Sequence, residues 1–456
     1  MTTRTMAGAL TAAIICVAGM TWAYSLQTVS FQDGDANGYA GTVDTWTGDG
    51  SAHGSETTLY FGKEGAPNTH DYSASIRFDS AVSTLPANSF ILTASLSLTR
   101  AAGVAPSPAT EDGSFNGSIR RSAAFTEAST VIGATGNGYT EVGGWAPPAW
   151  PNATAHDLDI TGFARGWQAG TITNDGVRFV DSGNLQSDIA FHSSEAATVA
   201  YRPKLTVQYI AQTSSRERIV VLSGSTVTDD TWLNSASTGS NYGTGSTLQV
   251  GRNQPPGGGY GNSLVKFDVA SGLQSALGAN WNNPVIWQYK GAWMGFSYDG
   301  GLTPTSLSFS AYPLSAGAAW TEGGATWATR DGANAWPAAW VAGGVPAGAN
   351  VAAGTESVVQ GTVWNAGNNP AISGMSLWDV STTTSNFIYG AWTNNGWVIP
   401  GYYGTSGNTS GGRSSEGADF TQAGPFLIVV MEIPEPATGV VLGLAGLLAL
   451  RRGRRA

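Results

Sequence analysis

Two stretches of this 456-residue chain carry the same short words in the same order. "VDTW" (43–46) returns as "DDTW" (229–232), "LYFG" (59–62) as "LQVG" (248–251), and "IRFD" (76–79) as "VKFD" (265–268). Farther along, "LSL" (96–98) is answered by "LSF" (307–309), "FTE" (125–127) by "WTE" (320–322), and "DIT" (159–161) by "DVS" (379–381). "NDG" (174–176) becomes "NNG" (394–396), "SSE" stands at both 193–195 and 414–416, and "RPKLTV" (202–207) becomes "GPFLIV" (424–429). Nine ordered matches make this one module written twice. The offset grows from 189 to 220 residues, which puts about thirty extra residues in the middle of the second copy. The boundaries follow: module one at 26–211, a polar linker "QTSSRE" at 212–217, and module two at 218–432.

Each copy holds eight or more short strand signals, such as "ILTASLSL" (91–98) and "PKLTVQYI" (203–210), between Gly/Asn/Asp/Ser turns. Sustained apolar spacing at a helical period is missing outside the two ends. The expected class is all-β, with two tandem β-sandwich domains.

The ends read differently. Residues 1–23 have the form of a secretory signal peptide, with Arg4, an apolar run over about 7–20, and small residues before the cut. The only cysteine, Cys16, lies inside it, so neither disulfides nor cysteine chemistry is expected in the mature chain. The last segment, 433–456, places Pro434-Glu435-Pro436 before an apolar run from Ala437 to Leu450, read as a short hydrophobic helix. Arg451, Arg452, Arg454 and Arg455 follow it. The run is too short to span a bilayer comfortably, and the arginines hold its end on the cytoplasmic side. This order resembles the PEP-CTERM sorting signal of Gram-negative bacteria. The resemblance implies export across the inner membrane, transient anchoring there, and cutting by an exosortase-type enzyme near the motif. The cut protein would then go to the cell surface or extracellular matrix. Without the five terminal arginines, 16 basic residues face 31 acidic ones, a net charge of −15 that disfavours nucleic acid as a partner.

Module one, with "FQDGDANGYAGTVDTW" (31–46), "LDITGFARGWQAGTITNDGVRF" (158–179), "FHSSEAA" and "YRPKLTVQY", resembles the DNRLRE domain. That group includes disaggregatase-related repeats and is also classed among carbohydrate-binding modules. It implies a jelly-roll-like β-sandwich and, for some members, polysaccharide binding. Module two departs from the pattern: Phe387 stands where Trp167 does, Gly424 replaces Arg202, and residues 328–375 lie outside it.

Acids recur at Asp44/Asp230, Asp79/Asp268, Glu127/Glu322, Asp159/Asp379 and Glu195/Glu416. Kept in both copies, they read best as turn and strand-end fixtures accepting backbone N–H bonds. The histidines His53, His70, His156 and His192 have no zinc-ligand spacing. In "DGDANGYAGTVD" (33–44), Asp33, Asp35, Asn37 and Asp44 are spaced as in a calcium loop, making calcium the one candidate cofactor. Twelve of the 17 tryptophans fall in module two. Trp232 and Trp320 match Trp46 and Phe125 and read as core. Unmatched aromatics in Gly-rich stretches, namely Trp336, Trp340, Trp364, Trp397, Tyr402 and Tyr403, are candidates for stacking on sugar rings. They would serve equally well as a cluster holding down the insertion.

The leading expectation is therefore an exported, surface-sorted, non-catalytic protein that binds or organises extracellular polysaccharide. A glycan-cleaving enzyme akin to disaggregatase and a purely structural matrix or surface-layer component are the rivals.

Overall fold

The computed structural model describes residues 27–63, 71–101, 117–140, 153–181, 188–252, 259–299, 310–340, 348–352, 358–361, 375–400, 409–415 and 424–434. The first half runs β1 (Gln27–Phe31), β2 (Thr42–Thr47), β3 (Thr58–Lys63), β4 (Asp71–Phe78), β5 (Phe90–Thr99), β6 (Gly117–Ser122), β7 (Ala134–Thr140), β8 (Ala155–Asp159), helix α1 (Thr161–Ala169), β9 (Val177–Asp181), β10 (Asp188–His192) and β11 (Lys204–Ile210). The second half runs β12 (Glu217–Ser223), β13 (Thr228–Asn234), β14 (Thr247–Arg252), β15 (Tyr260–Phe267), α2 (Val269–Leu277), β16 (Gln288–Asp299), β17 (Tyr312–Pro313), β18 (Val358–Gly361), β19 (Met375–Asp379), α3 (Ser381–Ile388), β20 (Trp397–Ile399), β21 (Thr409–Arg413) and β22 (Phe426–Glu432). The protein is all-β in its framework, and among the described residues every strand pairing is antiparallel.

The strand order of the first half recurs in the second. One sheet runs β1-β11-β5-β8, and its counterpart β12-β22-β16-β19. The facing sheet runs β10-β3-β4-β9-β6-β7 with β2 also on β4; its counterpart runs β21-β14-β15-β20-β17 with β13 on β15. In the second half β16 is 12 residues long and reaches β21 at Tyr298 and Asp299, so the two layers join along one strand.

The repeated words sit where the backbone needs them. Asp159 Oδ1 accepts the Thr161 amide and Asp379 Oδ1 the Ser381 amide, so "DIT" and "DVS" each open a helix. The side chain of Asn174 donates to the Phe78 carbonyl, and that of Asn394 to the Phe267 carbonyl, tying each turn to the end of a strand. Gly176 (φ 84°) and Gly396 (φ 77°) close these turns in the left-handed region, where a Cβ would strike the Ile76 and Val265 carbonyl oxygens. Gly396→Ala is expected to lower stability by about 1–3 kcal/mol, measured by thermal unfolding. Gly224→Ala is the control, being also left-handed but with open space at the Cβ position.

Three apolar layers follow from strand alternation. Between the sheets of the first unit lies a core that includes Trp46, Phe61, Phe78, Phe163, Phe179 and Phe191. The second unit has its own, with Trp232, Phe267, Trp378, Trp397 and Met431. On the outer face of β13, β15 and β20, the alternate residues Leu233, Leu264 and Val398 pack under the insertion, against Trp320, Trp336 and Trp340.

A fourth cluster joins the units. Leu92 and Ile210 of the first meet Trp293, Leu377, Phe426, Ile428 and Val430 of the second. At its edge the guanidinium of half-buried Arg165 lies 4.5 Å from the Phe90 ring centre and 4.8 Å from that of Phe426. It donates to the Ile91 and Leu92 carbonyls at 2.8 and 3.2 Å. The linker is pinned as well: Glu217 is buried and accepts the Thr213 amide, while Arg216 holds the Ile433 carbonyl at 2.9 and 2.6 Å.

Candidate functional site

The aromatic residues expected to stack on sugars are mostly interior. Trp336 and Trp340 are each 6% exposed and meet edge to face at 5.0 Å, and the Trp336 indole donates to the Thr326 carbonyl. Trp397 is fully buried between Phe267 and Phe387. These three are corrected from stacking platforms to core: the insertion folds back over the sheet so that Trp336 and Trp340 cover Leu233, Leu264 and Val398, while Trp397 belongs to the core between the sheets. Trp364, Tyr402 and Tyr403 lie outside the described residues.

The calcium loop is also corrected. Asp33 Oδ1 accepts the Gly41 and Thr42 amides, and Asp35 takes both the backbone and the side-chain nitrogen of Asn37. Asp44 is on β2, fully buried, with Oδ2 accepting the Ser194 amide at 2.8 Å. Asp33 and Asp35 therefore accept within their own loop while Asp44 is engaged elsewhere, and no metal-holding group of three or more acids, histidines or cysteines occurs among the described residues. Of the tail, Pro434 is half-buried at the end of β22; Glu435, Pro436, Arg451, Arg452, Arg454 and Arg455 lie outside the described residues. Among the described residues no helix is long and apolar enough to cross a membrane.

Asp44 and Asp230 play one part twice, since Asp230 Oδ2 accepts the Ser415 amide at 2.7 Å. Each ties the turn carrying "SSE" to the first strand of the facing sheet. Burial, and then the charge of Glu195, push the Asp44 carboxyl well above the usual range. Glu127 moves the same way for the same two reasons. Asp44 is out of reach of any large substrate, because its side chain has no exposed surface.

Above this acid group sits a capped tryptophan. The His53 ring stacks on Trp46 with centres 3.4 Å apart and planes 11° off parallel. Its nitrogens meet Glu56 Oε1 at 2.7 Å and Asp49 Oδ1 at 2.8 Å, while the Trp46 indole donates to Glu56 Oε2. In the second unit Tyr242 takes the same place over Trp232, with centres 4.0 Å apart. Burial opposes charge on His53, but the hydrogen bonds to Asp49 and Glu56 outweigh it and its pKa is raised. A raised imidazole value means the clamp is fully present below its ordinary value of about 6.5 and is lost as pH rises through the folded-state value. The unfolding midpoint is therefore expected to fall as pH rises from about 6 to about 8. His53→Gln should flatten that dependence.

Among the described residues, two clefts open beside the helices. Trp167 and Phe387 are both the seventh residue of their helices, α1 and α3. Both are half-buried, and each lines a cleft. The first, of about 520 Å³, lies between the 3-10 turn Val82–Thr84 with its following loop and the end of α1. None of its lining residues is charged; Ser83, Asn88, Ser89 and Gln168 supply the polar groups. The second, of about 470 Å³, adds Trp281 and the 2.5 Å ion pair of Lys266 with Asp229. Sequence reading marked Trp167 and Phe387 as corresponding positions but gave them no ligand. The available signal was a tryptophan one turn from a glycine helix end, followed by an amide side chain.

No family model matches the chain, and no curated protein does. Among solved structures it is similar to the infectious bursal disease virus Gt strain, at 10% identity over 90% of this chain and 77% of the viral one, with a TM-score of 0.11. The Gx strain matches at 10% identity over 89% and 77%, with a TM-score of 0.10. Likeness at that level carries no argument about what this chain does.

Proposed function

We propose that the protein is exported, sorted to the cell surface through its C-terminal segment, and engages extracellular polysaccharide without breaking it. The observation that supports this reading is the aromatic at the seventh position of the same helix in both units, each lining an open cleft. Ring faces pack on the C–H faces of pyranoses while polar groups at the rim bond hydroxyls, which is how shallow sugar sites gain affinity. The paired acids Asp44/Asp230 and Asp159/Asp379 have structural work of their own at backbone amides. The test is the full chain on a broad polysaccharide array, with released reducing ends assayed in parallel. Retention without release is the expected result. Release would move the protein to the glycan-cleaving class, and the absence of retention on every polysaccharide would leave a structural matrix role.

A further inference from the structure

We infer that the cleft beside Trp167 takes an uncharged, hydroxyl-rich glycan chain and rejects acidic ones. The inference rests on the polysaccharide-binding reading above and specifies both the site and the ligand class.

The cleft's chemistry is set by which hydrogen-bonding groups are already used. Gln168 Nε2 donates to the Ser89 carbonyl at 3.1 Å and to Ser89 Oγ at 2.8 Å, so both amide hydrogens are engaged. That leaves Gln168 Oε1 as the group it can offer a ligand. The amide nitrogen of Asn88 donates to Gln212 Oε1 at 3.3 Å, so Asn88 likewise presents its oxygen more readily than its nitrogen. Ser83 Oγ donates inward to the Ser80 carbonyl at 2.9 Å. Ser89 Oγ accepts from Gln168 and keeps its own hydrogen to donate, so the rim offers more acceptors than donors.

A sugar hydroxyl can donate to such a rim, whereas a carboxylate or sulfate only accepts and finds oxygen facing oxygen. No arginine or lysine lines the cleft to compensate an anion, and the chain as a whole carries a net charge of −10. Long-range repulsion adds to the local mismatch. Trp167 supplies the flat apolar wall: it packs against the core on one side and lines the cleft. Asn88 is held at φ 61°, a left-handed conformation that asparagine tolerates better than most residues. Its bond to Gln212 ties the cleft rim to the linker between the units, so the rim is set before a ligand arrives.

The experiment is native affinity electrophoresis of the full chain in gels containing laminarin, dextran or mannan, against gels containing alginate, polygalacturonate or chitosan. At least one uncharged polymer is expected to retard the protein, and the two acidic polymers are not. Trp167→Ala should weaken that retardation by about tenfold or more, and Gln168→Ala by a few-fold. Because Trp167 also touches the core, Trp167→Phe and Gln168→Ala, at a half-buried position, serve as variants that keep the fold, checked by the unfolding midpoint. Retardation by acidic or cationic polymers alone, or by an uncharged polymer without any change in these variants, would overturn the inference while leaving polysaccharide binding in place. No retardation by any of the six would remove both.

Discussion

Arg165→Ala is expected to cost the chain about 3–5 kcal/mol and to split its unfolding into two transitions. Arg165 is half-buried, and burial lowers its pKa to about 10, with Asp159 opposing that shift. Removing it leaves the half-buried Asp159 without its neighbouring cation and strips donors from the Ile91 and Leu92 carbonyls. It also removes the flat cation lying between Phe90 of the first unit and Phe426 of the second. Lysine cannot replace it, since a point charge on a flexible stem neither lies between two rings nor reaches two carbonyls in a fixed fork. Urea unfolding followed by fluorescence and by calorimetry measures both effects. A single transition displaced by less than about 1 kcal/mol would show that this charge does not couple the units. Phe426→Ala is the companion variant, because it breaks the same junction from the other side without touching Asp159.

The second large effect is expected at Trp397. Its side chain is fully buried, packed 5.3 Å from Phe387 and 6.3 Å from Phe267. Trp397→Ala should cost about 3–5 kcal/mol through the cavity it leaves. Trp397→Phe should cost much less. The indole N–H has no acceptor among the described residues, so losing it removes a desolvation penalty that partly offsets the lost contacts. The measurement is the denaturant midpoint at constant slope for both variants. Where both are still folded, polysaccharide retention should match the wild type. A binding loss in folded Trp397→Phe would restore Trp397 as a ligand contact.

These two residues mark where local sequence stops being informative. Trp397 and Trp167 both lie near glycines and both look available, yet one is sealed in and the other lines a cleft. The difference is made by residues far away in the chain. The segment around Trp320 to Trp340 covers the outside of β20, while on the inside Phe387 of α3 and the rest of the core close over Trp397. Exposure is a property of what crosses a face, and a run of residues cannot state it for itself.

By itself the sequence determined the class, the doubling and the punctuation. Alternating short runs demand strands, and "DIT", "NDG" and their second copies are acid and amide side chains bonding backbone a few residues or one strand away, chemistry that is local and repeats with the words. The tertiary structure alone decided the junction and the cleft. "KLT" in β11 puts half-exposed Lys204 and Thr206 on its outer face, whereas "FLI" in β22 puts Phe426 and Ile428 there, both buried. That swap could have been read as a strand covered on both sides. What covers it, the end of β5 with Leu92 and the Arg165 clamp, is set by how two separately folded sandwiches come to rest on each other, a nonlocal packing choice that no repeat pattern encodes.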